Sequence, residues 1–171
     1  MILNLETVPS FYKNYVKQIE ETDLLQALRI SGHRALELVH SIPEEKADYR
    51  YAEGKWSTRE LLCHMIDAER IFAYRALRFA RNDKTPLAPF EENDYAPQAN
   101  ASGRSLQKIA AEMAHLRSAT IDLFEGFTPE MLIRKGTVNK NELSVVALGF
   151  IIAGHETHHC NVLKERYLSG K

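Results

Sequence analysis

Hydrophobic residues recur at helical spacing in four stretches of this chain, and almost nothing follows the two-residue alternation of a strand. Leu25, Leu28, Leu36, Val39 and Ile42 keep to one stripe, which predicts a helix over 23–42, ended by Pro43. Ser57-Thr58-Arg59-Glu60 reads as a capping box and opens a second helix over 57–82, carried by Leu61, Ala68, Ile71, Arg75 and Arg78. Ile109, Met113, Leu116, Thr120 and Leu123 place a third over 105–127, closed by Gly126 and Pro129. A fourth spans 144–168 and stops at Ser169-Gly170. Four amphipathic helices with no strand pattern predict an all-α fold, a four-helix bundle.

The connections predict its topology. About 14 residues join the first two helices, but some 22 residues, containing Pro86, Pro89, Pro97 and Gly103, separate the second from the third. A loop of that length can run the full length of a bundle, so that the third helix starts at the same end as the second. The order is then up-down-down-up with a long crossover between helices two and three, and helices two and four are antiparallel. An up-down-up-down bundle would make them parallel and leave the long loop without a structural reason.

Composition narrows the function classes. The 171 residues suit one domain spanning 1–171. With 22 basic and 23 acidic side chains the net charge is −1, which gives no electrostatic reason to expect nucleic acid or an anionic membrane as partner. The longest apolar run, Val145 to Gly154, is half of the roughly 20 residues that cross a bilayer. The first residues lack the charged-then-apolar layout of a signal peptide. Two cysteines, Cys63 and Cys160, imply no disulfide framework. The expectation is a cytoplasmic protein acting on small molecules.

The seven histidines carry the sharpest signal. His155 and His159 stand four residues apart in Gly154-His155-Glu156-Thr157-His158-His159, so both imidazoles leave one helix face about a turn apart. At about 100° per residue, Leu148, Ile151, Ile152 and Val162 fall within about 60° of His155, which puts the pair on the apolar stripe. His158 lies at its margin and Cys160 points well away. On the second helix Leu61, Ala68, Ile71 and Arg75 flank His64, which also faces inward. His64 is about 10 Å from the start of its helix, and His159 about 14 Å from the end of its own. Antiparallel helices bring the two to nearly one level, the orientation already favoured by the loop. Three inward histidines with a fourth position open have the composition of a catalytic metal site rather than a closed structural one. A core histidine with a local hydrogen bond explains any one of them alone. His33, His40 and His115 have no such company, and Cys63 and Cys160 read as small half-buried hydrophobes.

The same residues spell H-E-x-x-H, the metalloprotease motif with Glu156 as general base. Only 12 residues follow His159, too few for a distant downstream ligand, and Val162 and Glu165 hold the positions where a metzincin needs Gly and His. No strand pattern supplies a sheet edge for a peptide. The protease reading fails, and Glu156 is left to orient a ligand or water, or to form an interhelical salt bridge.

Taken together, Gly54-Lys55-Trp56-Ser57, Leu62-Cys63-His64-Met65-Ile66-Asp67-Ala68-Glu69-Arg70 and Ala153-Gly154-His155-Glu156-Thr157-His158-His159 resemble the DinB-like superfamily of metalloenzymes, which includes YfiT-like proteins and the bacillithiol S-transferases. The resemblance covers nearly the whole chain. It implies an up-down-down-up bundle, a zinc or nickel ion on His64, His155 and His159, a homodimer, and either thiol S-transfer or hydrolysis, with a low-molecular-weight thiol as possible co-substrate. A divalent ion on three neutral imidazoles can lower the pKa of a bound water to about 7 or hold a thiol as thiolate. Asp67, one turn beyond His64, reads either as a supporting partner or base at the site or as a surface partner for an arginine. Tyr74 and Arg75, with Arg70 and Arg78, form a basic, aromatic-flanked stretch that could receive an anionic substrate or make salt bridges. Trp56 reads as a packing anchor. The competing class is a non-enzymatic metal-binding helical module acting through partners, in which His158 or Asp67 would close the site.

Overall fold

In the computed structural model, which describes Leu3 and residues 5–169, the four long helices start where the polar caps stand. α1 is a short helix at Ser10–Val16, and α2 spans Leu24–Ser41 behind Asp23, whose carboxylate accepts from the Gln26 amide at 3.0 Å. α3 spans Thr58–Ala80 behind a complete capping box, with Glu60 N–H donating to Ser57 Oγ and Ser57 N–H to the Glu60 carboxylate. The short α4 is Glu92–Tyr95, α5 is Leu106–Glu125 behind Ser105, and the short α6 is Pro129–Leu132. A hairpin follows: β1, Lys135–Val138, pairs antiparallel with β2, Asn141–Ser144. α7 runs Val145–Val162 behind Ser144 and continues as a π-helical stretch over Leu163–Leu168. Gly170, the expected stop, lies outside the described residues.

Contacts between the ends fix the directions. The Tyr167 hydroxyl, beyond α7, donates to the Trp56 carbonyl before α3, while Arg134, before α7, donates to the Ala80 carbonyl at the end of α3; these helices are antiparallel. Arg104 lies over Cys63 and Arg117 over Glu69, so α3 and α5 run together. Arg29 pairs with Glu125, and the Leu106 amide with Glu44, so α2 opposes α5. The bundle is up-down-down-up.

Two features depart from the sequence expectation. The hairpin is the small sheet that the pattern did not show: its strands are four residues each, and its turn is Asn139-Lys140 at φ 45° and 64°, a left-handed pair usually filled by Asn-Gly. The crossover is not a bare loop. Leu87 hydrogen-bonds the hairpin through Thr137 and Asn139 before the chain turns through α4 and two further single turns.

α7 is the axis of the molecule. Every residue from Val145 to Glu156 is buried, because α2 and α3 flank it and α1 covers what the bundle leaves open. Gly154 makes the last contact possible: a Cβ there would lie 2.4 Å from the Tyr15 carbonyl oxygen. No described helix is long and apolar enough to cross a membrane.

Among the described residues the core holds one charge cluster. Arg117 of α5 donates to both Glu69 oxygens on α3 (3.0 and 2.8 Å), to Glu156 on α7 (2.7 Å), and to Ser31 Oγ and the Leu28 carbonyl on α2. Burial alone would lower the Arg117 pKa, but the carboxylates of Glu156 and Glu69 outweigh it and keep the guanidinium charged. Burial pushes the Glu156 pKa up, against the pull of Arg117. Removing one partner from such a cluster leaves the others uncompensated, which costs about 3–5 kcal/mol. Arg117→Met should therefore lower the stability measured by denaturant unfolding by that amount. Arg29→Met, at the exposed pair with Glu125, should change it by less than about 1 kcal/mol. Equal effects would show that Arg117 is not the structural clamp.

Candidate metal centre

His64 projects from α3, seven residues past its cap, and His155 and His159 from α7. Their Nε2 atoms form a triangle with sides of 3.0 Å (His64–His155), 3.0 Å (His155–His159) and 3.2 Å (His64–His159). Trp56 tilts over His64 at 4.8 Å between centroids, and His155 sits edge-on between Tyr15 at 5.3 Å and Phe72 at 5.9 Å. Burial holds His64 down to about 4 and His159 to about 3; burial, with His159 and His64 alongside, holds His155 well below its ordinary value. All three are neutral near pH 7, and neutral imidazole is the metal-binding form.

The donor set fits a divalent ion. Metal–nitrogen distances of about 2.0–2.1 Å put two imidazole nitrogens of a tetrahedral ion roughly 3.3 Å apart, close to the observed sides. Without a cation the triangle is poorly satisfied, since a ring N–H can point at only one neighbour and the remaining lone pairs face one another. His159 Nδ1 is buried with no partner among the described residues. Packing of its ring at 4.4 Å from His155 and 5.0 Å from His158 fixes its direction instead. Among the described residues no fourth His, Cys, Asp or Glu joins the cluster.

The triangle floors a cleft of about 740 Å³. Phe11, Tyr12 and Tyr15 of α1 form one wall, Trp56, Phe72 and Arg75 another, and Phe90, Glu91 and Glu92 of the crossover a third, with the Asn139 turn at the edge. Sequence reasoning missed the contributions of α1, the crossover and the hairpin. The aromatic cluster Phe11-Tyr12-Tyr15 was their one visible signal, and seven residues are too few to show a helical period.

The remaining expected site residues separate. Arg75 lines the cleft, but Tyr74 does not: it is 51% exposed and engaged by Arg78. Asp67 borders a different surface hollow with Arg70, Tyr95 and Gln98, its carboxylate 3.7 Å from Arg70, because a turn of about −60° from His64 carries it past the cleft rim. Glu156 is bonded to Arg117, and the cleft does not include it. Glu156 does line a separate void of about 10 Å³, room for roughly one water, together with Glu69 and His155. His158 lies against Tyr15, with Nδ1 3.4 Å from the Gln18 amide. Cys63 and Cys160 are buried; burial raises the Cys63 thiol and pushes Cys160 up to about 12, so both stay protonated.

The family model described as the DinB superfamily matches residues 27–163. The chain belongs to the DinB superfamily. Among related proteins, this DinB chain is 26% identical over 142 residues to a protein of Oceanobacillus iheyensis named "Putative metal-dependent hydrolase", covering 82% of this chain and 81% of that one. A Geobacillus thermodenitrificans protein of the same name is 24% identical over 71% of this chain and 69% of its own. Among solved structures, YfiT from Bacillus subtilis, described as "a probable metal-dependent hydrolase with an unusual four-helix bundle topology", superposes with a TM-score of 0.74 at 17% identity, covering 83% and 82% of the two chains. A mycothiol-dependent maleylpyruvate isomerase shares the fold at TM-score 0.68 and 8% identity, over 94% of this chain and 62% of its own.

The place of α1 in this DinB bundle gives a test with an unusual sign. Gly→Ala inside a helix normally stabilises by about 0.5–1 kcal/mol. At Gly154 the new methyl meets the Tyr15 backbone, which cannot move without shifting α1. Gly154→Ala should therefore speed amide hydrogen exchange across Ser10–Val16 while leaving α5 unchanged. Unaltered or slower exchange in α1 would show that the close approach is not needed.

Proposed function

We propose that this DinB protein is a divalent-metal-dependent enzyme in which His64, His155 and His159 hold zinc or nickel beneath a small-molecule substrate. The observation that carries the proposal is the convergence of three neutral imidazole nitrogens at the floor of an open, aromatic-walled cleft. A closed structural site takes four protein ligands, and three under an open cleft favour an enzyme over a metal-stabilised module. Such an ion, when bound, supplies a Lewis acid that lowers the pKa of a water or thiol. The names of the relatives support hydrolysis, with water as nucleophile.

A second reading, S-transfer, rests on what the floor lacks. Glu156 is bonded to Arg117, Asp67 faces elsewhere, and Glu91 and Glu92 stand on the crossover wall, so among the described residues no carboxylate joins the histidine cluster at the floor to take a proton from water. A thiol needs less help, since its free pKa is only about 8.5. The protein's own thiols are buried, so a reacting thiol would come from a low-molecular-weight co-substrate, for which a cleft of about 740 Å³ has room. In either reading Trp56, Phe72 and Tyr15 surround the triangle with aromatic surface. The reading extends to a cytoplasmic homodimer whose partners are small molecules rather than nucleic acid or membrane, in keeping with the net charge of −1.

Protein purified without a nickel column should carry about one divalent ion per chain by elemental analysis. His64→Ala, His155→Ala and His159→Ala should each lose most of it, because two imidazoles bind zinc or nickel far less tightly than three. His158→Ala should keep it. Full retention in His64→Ala would mean that the ligands are misassigned. Cobalt-substituted protein should gain a thiolate-to-metal absorption band on addition of 2-mercaptoethanol, or a shifted spectrum with azide. A spectrum unmoved by both would favour the non-enzymatic module.

A further inference from the structure

We propose that Arg75 makes the cleft selective for organic acids: the substrate carries a carboxylate that pairs with Arg75 and an apolar or aromatic body that reaches toward the histidines. The inference deepens the functional reading above, on which it rests for where the reacting bond lies.

Arg75 is only 3% exposed, and among the described residues no carboxylate lies within ion-pair distance of it. Arg117 has Glu69 and Glu156, Arg70 and Arg104 share Glu112, and Arg78 has Asp83, while Arg81 and Arg134, which also lack a carboxylate partner among the described residues, are less buried than Arg75. A buried cation without a counter-charge is costly, and the usual resolution is a partner anion. One Arg75 N–H donates to the Ala88 carbonyl at 3.0 Å, and the Tyr12 hydroxyl lies beside the guanidinium. Holding Ala88 needs a donor but no charge, so that bond does not explain an arginine. With five N–H donors, the group keeps spare ones for the cleft it lines. Phe72 and Phe90 flank it, with ring centroids 5.8 and 5.7 Å from the guanidinium carbon, and hold the planar fork in place as carboxylate recognition requires.

The spacing sets the size of the ligand. The Phe72 ring that touches Arg75 also lies 5.9 Å from the His155 ring, so one aromatic side chain separates the anion site from the triangle. A substrate spanning both has its carboxylate about a phenyl ring's length from the bond that reacts. The walls of Tyr12, Tyr15, Trp56 and Phe72 suit an apolar body between them. Glu91 and Glu92 place negative charge on the crossover wall, which disfavours the anion at that edge and directs it to Arg75.

The test compares 3-phenylpropionate with its neutral isostere 3-phenylpropanamide, titrated calorimetrically into the full chain, both metal-loaded and after EDTA treatment. The carboxylate should bind roughly ten- to a hundredfold more tightly than the amide in both forms. Arg75→Gln should erase the preference and Arg75→Lys should reduce it, with metal content unchanged in each. A preference seen only in the metal-loaded form would place the carboxylate on the ion and overturn the inference. A preference that persists in protein found to bind no metal would sustain it while the metal reading failed. Since loss of a buried guanidinium can unfold a chain, wild-type protein labelled with ¹⁵N-arginine supplies a second readout. The Arg75 Nε–Hε signal, assigned in the wild-type protein by its proximity to the Phe72 and Phe90 rings, should move with 3-phenylpropionate and stay with the amide. Equal affinities, or an unmoved signal at saturating carboxylate, would overturn the proposal.

Discussion

The Arg117 side chain is only 6% exposed, so the protein rather than water has to solvate its guanidinium, and that demand falls on every long helix. α3 supplies Glu69, α7 supplies Glu156, and α2 supplies the Leu28 carbonyl and Ser31. α2 also supplies Gly32, where a Cβ would lie 2.8 Å from the guanidinium. A hydrophobic core tolerates small slips between helices, but a buried fork with five directed donors does not. The clamp therefore sets register, and register is what a three-residue site on two helices needs. On α7 Glu156 lies about 100° around from His155, so turning the acid toward α5 turns the histidines toward α3. Glu69 does the same for α3, five residues beyond His64. Each helix presents one polar group to the clamp and another to the triangle, and the two centres meet at the water-sized void bounded by Glu69, His155 and Glu156.

The second requirement is cover for α7. A helix apolar on all sides cannot sit at the surface of a bundle, where one side would face water. Here α1 closes that side, and Gly154 lets its backbone come near enough to bring Tyr15 over His155. The cover is partial by construction. α1 has seven residues and the cleft opens beside it, so the element that buries α7 also forms the mouth of the site. Hairpin and crossover complete the rim through the pairing of Leu87 with Thr137 and Asn139.

Much of this was legible in the sequence, for identifiable reasons. The Ser57 capping box and the 3.6-residue period located the long helices, and the crossover length gave their order. Matching depths of His64 and His159 then brought the histidines together before any coordinates. What escaped lacked periodicity. Strands of four residues and a helix of seven carry too few positions to show one, and Asn139-Lys140 is a weaker turn signal than Asn-Gly. Arg117 escaped for a different reason: it lies in line with Met113, Thr120 and Phe124, all buried, and a lone arginine on such a stripe is easily taken for its edge. Its partners were equally visible, since Glu69 and Glu156 also lie on faces the bundle buries. With the protease reading of H-E-x-x-H set aside, an interhelical salt bridge was one of the roles left open for Glu156, and that is the role its pairing with Arg117 gives it.

Burial acts in opposite directions on the ionisable groups of the site, and the result constrains the chemistry. It keeps the imidazoles neutral, with free lone pairs facing one another, and it keeps the thiols of Cys63 and Cys160 protonated and inert. Among the described residues the floor therefore has acceptors for a cation but no thiolate of its own. Arg75, the one cation among the described residues of the cleft wall, cannot be deprotonated to escape the cost of burial in the way a lysine could. A cleft with electron pairs at one end and an unneutralised positive charge at the other is electrostatically incomplete at both. A metal ion answers the first deficit, a carboxylate the second, and the aromatic length between them selects what can supply the carboxylate while reaching the ion.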